Sequence, residues 1–386
     1  MYKFNVIVIG AGSTGLYLSR KLAEQGLSVL LLEKKKHIGE NIVCAGVVSK
    51  RAFEEYNLSS DSILLSLREM RVVSPRGASI LYRHPDIFAH IVDRSIFNQK
   101  LAEGAVQAGV TLLSSNEVTK IIIENNHVQV KALENYSAAL AIITTGVSYR
   151  LNKCCGLGVP SKYFKGAQTD ISFNAKLLPS LLVGNKVAPG SFAWALPLPN
   201  NIARIGLITE SNPRLYIQQL LKRMFNEKEI QYNTDAKIHY KPIAHGIVSP
   251  TYNEKIIAVG EAAGQVKTTT GGGIYFGFLC ADIACKVIAK CFANNNFSAS
   301  GLREYEQLWH KALRNEIING YYIRKVCSRL SDERLERLFD IIRSDGIIPL
   351  VQTQGDFDWH ALLLKMVMNR FSLHRFFARQ QSKDVT

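Results

Sequence analysis

Phe4-Asn5-Val6-Ile7-Val8-Ile9-Gly10-Ala11-Gly12-Ser13-Thr14-Gly15 is the stretch that decides the fold. Its first six residues are short, β-branched and glycine-bounded, which predicts a buried strand. The turn is GxGxxG. Leu16 to Gln25 then read as a helix ended by Gly26, and 28–33 (Ser-Val-Leu-Leu-Leu-Glu) as a second strand. Two parallel strands joined by a crossover helix make one βαβ unit. In that setting Gly10 permits the tight turn, Gly12 lets backbone approach a pyrophosphate, and Gly15 lets helix and strand pack closely. Ser13 and Thr14 open the helix, whose free N–H groups and dipole favour an anion. Glu33 ends the second strand, placed to accept from the ribose hydroxyls of an adenosine half. Lys34, Lys35 and Lys36 follow at once, read as a solvated basic loop or as a site for a phosphate near that ribose.

Outward from this unit, Met70–Ser74 and Ser79–Arg83 flank Pro75-Arg76-Gly77 as a hairpin. A helix is expected over 94–108, strands over 112–130 (broken at Asn125-Asn126) and 138–144, and a helix over 214–225. Strands with polar and aromatic edges fill much of 150–245, and from about 302 the chain reads as helical and basic. Ile256–Val259 is another buried strand, which delivers Gly260-Glu261-Ala262-Ala263-Gly264 and then a long helix over about 273–292. A cofactor longer than one nucleotide unit needs a second contact of this kind, and FAD fits.

The chain has 386 residues, 47% of them hydrophobic and 20% charged, which suits one large domain or a few interleaved ones. Seven scattered cysteines without a CxxC pair read as neither a disulfide framework nor a zinc site, and as a reducing compartment. The nine histidines form no metal motif, so no metal is expected. No secretory signal is read at Tyr2–Ile9, and no uncharged apolar stretch reaches the ~20 residues of a spanning helix. The formal net charge of +15 favours anionic partners: nucleic acid, acidic lipid or phosphorylated substrates. No nucleic-acid-binding signature accompanies it, so nucleic acid is not expected.

Four segments together resemble the geranylgeranyl reductase family of FAD-dependent oxidoreductases, related to the aromatic-ring hydroxylases. They are the GxGxxG with Glu33, then Cys44-Ala45-Gly46-Val47-Val48-Ser49, then Phe192-Ala193-Trp194-Ala195-Leu196-Pro197, and last 260–274 with Gly271-Gly272-Gly273-Ile274. The resemblance covers residues 1–290 or so. It implies an α/β fold: a Rossmann-like FAD-binding domain (1–66, 91–149 and 246–300) interleaved with a β-rich, α+β substrate domain (67–90 and 150–245), then a C-terminal helical region (301–386). It implies FAD held at Gly10, Gly12, Ser13, Thr14, Gly15, Glu33, Lys34, Cys44, Ala45, Gly46, Arg94, Gly260, Glu261, Gly264 and Gly271 to Ile274. Phe192, Trp194, Leu196 and Pro197 become the wall of an isoprenoid tunnel, where ordinary strand packing is the alternative. Cys44 becomes the catalytic candidate, the polar group beside the flavin that donates the proton or orients the alkene, against the alternative of a small buried residue. Arg94 becomes a cofactor contact, against a surface ion pair with Asp93.

The chain departs from the family pattern at Glu261 (Asp is usual), at Thr268 (Pro is usual, so a looser loop is expected), and at Phe192 and Leu196 (Tyr and Phe are usual). The Cys154-Cys155 pair reads as packing rather than a redox couple. Residues 361–379 form a basic amphipathic pattern, taken first as a helix docking on the core and second as one lying on an anionic membrane.

The activity implied is a cytoplasmic or membrane-peripheral reductase that saturates double bonds of an isoprenoid lipid with an anionic headgroup, with NAD(P)H or ferredoxin as donor. The alternatives are a flavin monooxygenase or halogenase on the same scaffold, and a non-catalytic flavin- or lipid-binding protein.

Overall fold

The computed structural model describes residues 4–173, 177–226, 236–344 and 346–368. Phe4–Ile9 lies inside an eight-stranded sheet, parallel to Val29–Leu32 on one side and Asn135–Ile143 on the other. Thr111–Leu113 extends the parallel run at one edge and Ile256–Ala258 at the other. Parallel strands carry helices or loops on both faces, so their residues read as continuous apolar runs. Val6, Ile7, Val8 and Leu30 to Leu32 are accordingly buried without alternation. Helix Ser13–Glu24 packs on this sheet between Arg94–Gln107 and Ile274–Ala293.

The strands expected over 112–130 are three short ones, Thr111–Leu113, Lys120–Ile123 and Val128–Lys131: the expected break at Asn125-Asn126 separates the last two, and a further break separates the first two. Between the first two the chain turns through Ser115 at φ 55, and the Asn116 N–H donates to Glu33 O, so this segment leaves the sheet to brace the loop after the second strand.

A seven-stranded sheet runs in the order His239–His245, Lys162–Ser172, Ile202–Thr209, Phe192–Leu198, Ser180–Val183, Glu69–Val73, Ser79–Arg83. The last two form the expected hairpin. Alternation divides this sheet's faces. Ala193 and Ala195 pack under helix Pro213–Asn226, whereas Phe192, Trp194 and Leu196 join Phe164, Ile208 and Ile243 on the opposite face. A small sheet of Val47–Ser49, Ala89–Val92 and Ile63–Leu67 lies nearby.

The C-terminal part is helical: Ala299–Cys327, Asp332–Ser344, Ile347–Gln354 and Ala361–Met368. Trp309, Tyr305 and Leu313 bury the first of these against Ile274–Ala293. Ala361–Met368 contacts Ala299–Cys327 and Ile347–Gln354; the rest of the amphipathic pattern, 369–379, lies outside the described residues. Among the described residues no helix is long and apolar enough to cross a membrane, and no cluster of side chains suits a metal ion.

Candidate functional site

The ends of the central strands, the small sheet and the inner face of the seven-stranded sheet enclose one cavity of about 880 Å³. At its first end stands the glycine turn, where each glycine has a distinct geometric reason. Gly10 takes φ +106, and a Cβ there would meet Thr144 O at 2.8 Å. A Cβ on Gly15 would run into Gly10 O, so the close helix–strand packing requires glycine. A Cβ on Gly12 would meet nothing within 4 Å, because this glycine faces the open cavity. The helix it opens has no side-chain cap, so its first N–H groups are available to an anionic ligand. Thr144 closes the turn from the neighbouring strand, its hydroxyl donating to Ile9 O at 2.9 Å and Gly10 O at 2.8 Å. The Glu33 carboxylate accepts from Ala11 N–H at 2.7 Å and Lys35 N–H at 3.0 Å, fixed at the cavity edge. Lys34 lines the cavity but is exposed.

Arg94 turns inward rather than pairing with Asp93. Asp93 caps its own helix, accepting from Ser95 and Ile96 N–H, while Arg94 donates to Ser13 Oγ at 2.6 Å and Asn98 Oδ1 at 3.0 Å. Arg94 Nη1 also lies 3.9 Å from Cys44 Sγ, and its buried Nε has no protein partner. The Cys44 loop bends at Gly46 (φ +78), where a Cβ would collide with Val92 O at 2.7 Å. Arg204, gripped bidentately by Asp170, donates to Ala45 O at 3.4 Å and so ties this loop to the seven-stranded sheet.

Next to the same turn, the Ile256–Ala258 strand delivers Gly260 at φ +75, where a Cβ would meet Thr14 Oγ1 at 2.8 Å, and Glu261, whose carboxylate pairs with Lys241 at 3.2 Å. Gln265 reaches back to accept from Gly260 N–H at 2.7 Å and donates to Tyr305 OH at 2.8 Å. Thr268 anchors its loop, contrary to the looser loop expected there. It is buried and donates to Ile317 O at 2.7 Å, while Arg324 holds the carbonyls of Thr268 and Thr269 at 3.0 and 3.1 Å and also donates to Ser191 Oγ. Burial among apolar neighbours lowers the Arg324 guanidinium to about 10.

Gly271, Gly272 and Gly273 then run along the cavity into helix Ile274–Ala293, which also lacks a side-chain cap. Beside them Lys267 and Asp358 form an ion pair at 2.9 Å, with side chains only 7% and 3% exposed. Lys267 Nζ also donates to Phe357 O at 3.0 Å and lies 4.4 Å from the Phe357 ring centre. One Asp358 oxygen, Oδ2, is buried without a partner. His360 is held between Thr269 Oγ1 and Phe357 O, and burial near Lys267 lowers its imidazole to about 4.

The third wall is apolar: Phe192, Trp194, Leu196, Ile208, Ile243 and Phe357. Gly206 lies across from Trp194 in the neighbouring strand, and any side chain there would strike the indole.

The structure therefore brings most of the expected residues to one cavity: Gly10, Gly12, Ser13, Thr14, Glu33, Lys34, Cys44, Ala45, Gly46, Arg94, Glu261, Gly271 to Ile274, Phe192, Trp194 and Leu196. Gly15, Gly260, Gly264 and Pro197 do not line it; the three glycines sit where backbone or side chains crowd a Cβ. Sequence reasoning missed Lys267, Phe357 and Asp358, which line the cavity, and Arg204 and Arg324 behind it. No motif marks them, since each acts through a partner remote in sequence. Cys154 is exposed and Cys155 buried, both free, with burial pushing the Cys155 thiol up to about 11.

These features suit FAD. Two uncapped helix starts and an open glycine face one cavity, which a fixed carboxylate and a glycine run also line.

A family model described as pyridine nucleotide-disulphide oxidoreductase matches residues 4–240. The chain is 29% identical over 360 residues to digeranylgeranylglycerophospholipid reductase 1 of Methanococcoides burtonii, covering 87% of this chain and 86% of the relative. Its fold is similar to that of a geranylgeranyl bacteriochlorophyll reductase-like protein from Thermoplasma acidophilum, with a TM-score of 0.85, 20% identity and 96% of each chain covered. It is also similar in fold to p-nitrophenol 4-monooxygenase from Pseudomonas putida, with a TM-score of 0.71, 14% identity, and 91% of this chain and 96% of that one covered.

Proposed function

The chain belongs to the pyridine nucleotide-disulphide oxidoreductase family, and on that premise we propose that it is an FAD-dependent reductase of the geranylgeranyl reductase type, saturating carbon–carbon double bonds of an isoprenoid lipid. One observation carries this reading: the cavity that begins at the dinucleotide turn continues past the glycine run into a wall of Trp194, Phe192, Leu196, Ile208 and Phe357. Isoprenoid chains present only methyls, methylenes and alkenes, so their recognition is apolar burial, worth ~0.8 kcal/mol per buried CH₂.

FAD, when bound, supplies the hydride that alkene reduction requires. The turn at 10–15 would hold its pyrophosphate, Glu33 its adenosine ribose, and Arg94, Glu261 and the 271–273 run the remainder. The chain's own contribution is to position the alkene along the apolar wall and exclude water. Phe357 and the buried Lys267–Asp358 pair seal that wall from the C-terminal side. Cys44 lies at the cavity with its thiol beside the Arg94 guanidinium and Gly46 N–H, where it is placed to give a proton to the second alkene carbon. The boundaries of the FAD-binding and substrate domains follow the two large sheets. The substrate carries an anionic headgroup, and the basic protein meets its lipid at an anionic membrane surface.

The test is anaerobic reduction with dithionite followed by addition of prenyl lipids. Flavin reoxidation with a gain of about 2 Da per reduced bond, as hydride plus proton addition requires, is the expected result. Reduced protein that no prenyl lipid reoxidises would remove the proposal. Cys44→Ala should keep its flavin spectrum while turnover falls; unchanged turnover takes Cys44 out of the chemistry.

A further inference from the structure

Arg94 stands where the dinucleotide turn meets the Cys44 loop, and all three line the same cavity. Resting on the reductase reading above, we infer that Arg94 is a cation shared between the cofactor's pyrophosphate and the Cys44 sulfur, so that loading the cofactor site keeps the proton on Cys44.

Each side of that sharing has its own contacts. Toward the turn, Arg94 Nη2 donates to Ser13 Oγ at 2.6 Å, and Ser13 opens the uncapped helix whose first N–H groups suit an anion. Toward the loop, Arg94 Nη1 lies 3.9 Å from Cys44 Sγ, and Gly46 N–H donates to the same sulfur at 3.4 Å. Donors aimed at a sulfur suit one that carries negative charge.

The charge of Arg94 is free to be shared. Asp93 gives its carboxylate to the N–H groups of Ser95 and Ile96, and no carboxylate pairs with Arg94 among the described residues. Its buried Nε has no partner either. The other cation facing Cys44 is Arg204, which Asp170 neutralises bidentately at 2.9 and 3.0 Å. Of these groups, then, Arg94 alone is uncompensated.

A pyrophosphate at the helix start compensates that charge and opposes a further negative charge on the nearby sulfur. The chemistry needs this, because a thiol that protonates an alkene must hold its proton until the lipid is in place. In that step the S–H bond breaks as the proton passes to the second alkene carbon, the hydride having gone to the first. The electron pair stays on sulfur beside Arg94 and Gly46 N–H, and a solvent proton restores the thiol.

Binding linkage is reciprocal, so the protonation of Cys44 must in turn set the affinity for FAD. The test dilutes the holoprotein and reads the FAD dissociation constant from flavin fluorescence between about pH 7 and about pH 9.5, either side of an ordinary thiol's titration. The wild-type protein should lose FAD affinity as pH rises, by about tenfold, and Cys44→Ser should lose none of that amount. In an Arg94→Met background, replacing Cys44 should leave the pH slope unchanged. Arg94→Lys, which keeps the charge, should keep a Cys44-dependent slope, so that charge rather than folding is what the variants report. One common slope for wild type and Cys44→Ser overturns the inference, and so does a Cys44-dependent slope that survives Arg94→Met. Prenyl turnover separates this from the parent reading. A Cys44- and Arg94-dependent slope in protein that reduces no prenyl lipid leaves the shared cation standing and removes the reductase. Prenyl reduction without that slope does the reverse.

Discussion

The turn at 10–15 is closed by its own strand, its own helix and Thr144 of the adjoining strand, whereas the loop at 260–273 is held by side chains that arrive from the C-terminal helices. In the first, glycine geometry does the shaping: Gly10 takes a positive φ, Gly15 admits the Gly10 carbonyl, and Gly12 stays open. In the second, Gln265, Thr268 and Lys267 reach Tyr305, Ile317 and Asp358, and Arg324 returns to the backbone of Thr268 and Thr269. Two loops facing one cavity thus depend on different things, the first on local backbone and the second on the packing of Ala299–Cys327 and the segment around 358. The lesson is that a cofactor site of this kind has an intrinsic half and a borrowed half.

Substitution of Lys267 tests the borrowed half most severely. Lys267→Met strands a buried carboxylate, and removing one member of a buried pair costs about 3–5 kcal/mol. Denaturant unfolding should show that loss, and Lys267→Met with Asp358→Leu should recover most of it. Hydrogen exchange should rise at 265–272 and stay unchanged at 10–33; an equal rise in both loops would break the distinction.

A smaller loss is expected from the intrinsic half. Gly15→Ala drives a Cβ into Gly10 O, an overpacking that costs about 1–3 kcal/mol, and the purified protein should lose its FAD. Gly12→Ala, where nothing lies within 4 Å, should leave the melting temperature unmoved and weaken only FAD retention. A fall in melting temperature for Gly12→Ala matching that for Gly15→Ala would show that the turn does not depend on its glycines in this way.

The gentlest probe is pH. His245, packed between Phe164 and Tyr321 and facing Arg324 and Lys162, is lowered to about 4 by burial and by those cations. His360, facing Lys267, Asp358 and Asp356, is lowered to about 4, chiefly by burial. Both imidazoles are neutral in the folded protein while the unfolded chain takes up protons from about pH 6.5 downward. Their contribution is therefore complete above that pH and is lost as pH falls toward 4. The melting temperature should drop over this window, and His245→Phe should flatten the drop. An unchanged slope would show that His245 does not contribute to it.

Much of the intrinsic half is legible in the residues. Gly-x-Gly-x-x-Gly after Phe4–Ile9, the acid at 33 and the alternation of Phe192, Trp194 and Leu196 each report local geometry, because backbone dihedrals and side-chain periods act over a few residues. The same holds for the hairpin around Gly77. Arg94 stands out in the sequence, but its choice of Ser13 and Asn98 over Asp93 depends on which way a helix start faces. The missing Pro at 268 predicts a looser loop; a carbonyl on a distant helix makes Thr268 an anchor instead.

By itself, then, the order of residues determined the βαβ start, the second acid-bearing turn, the apolar stripe on one strand and an excess of positive charge. Only the tertiary structure decided that Lys267 and Asp358 meet, that Phe357 completes the apolar wall, and that Arg324 holds the loop behind it. The reason is physical. A strand or turn is selected by dihedral preferences and periodicity that each short segment carries, whereas a buried ion pair or a loop braced from a distant helix exists only after separate elements have packed and excluded water from the space between them.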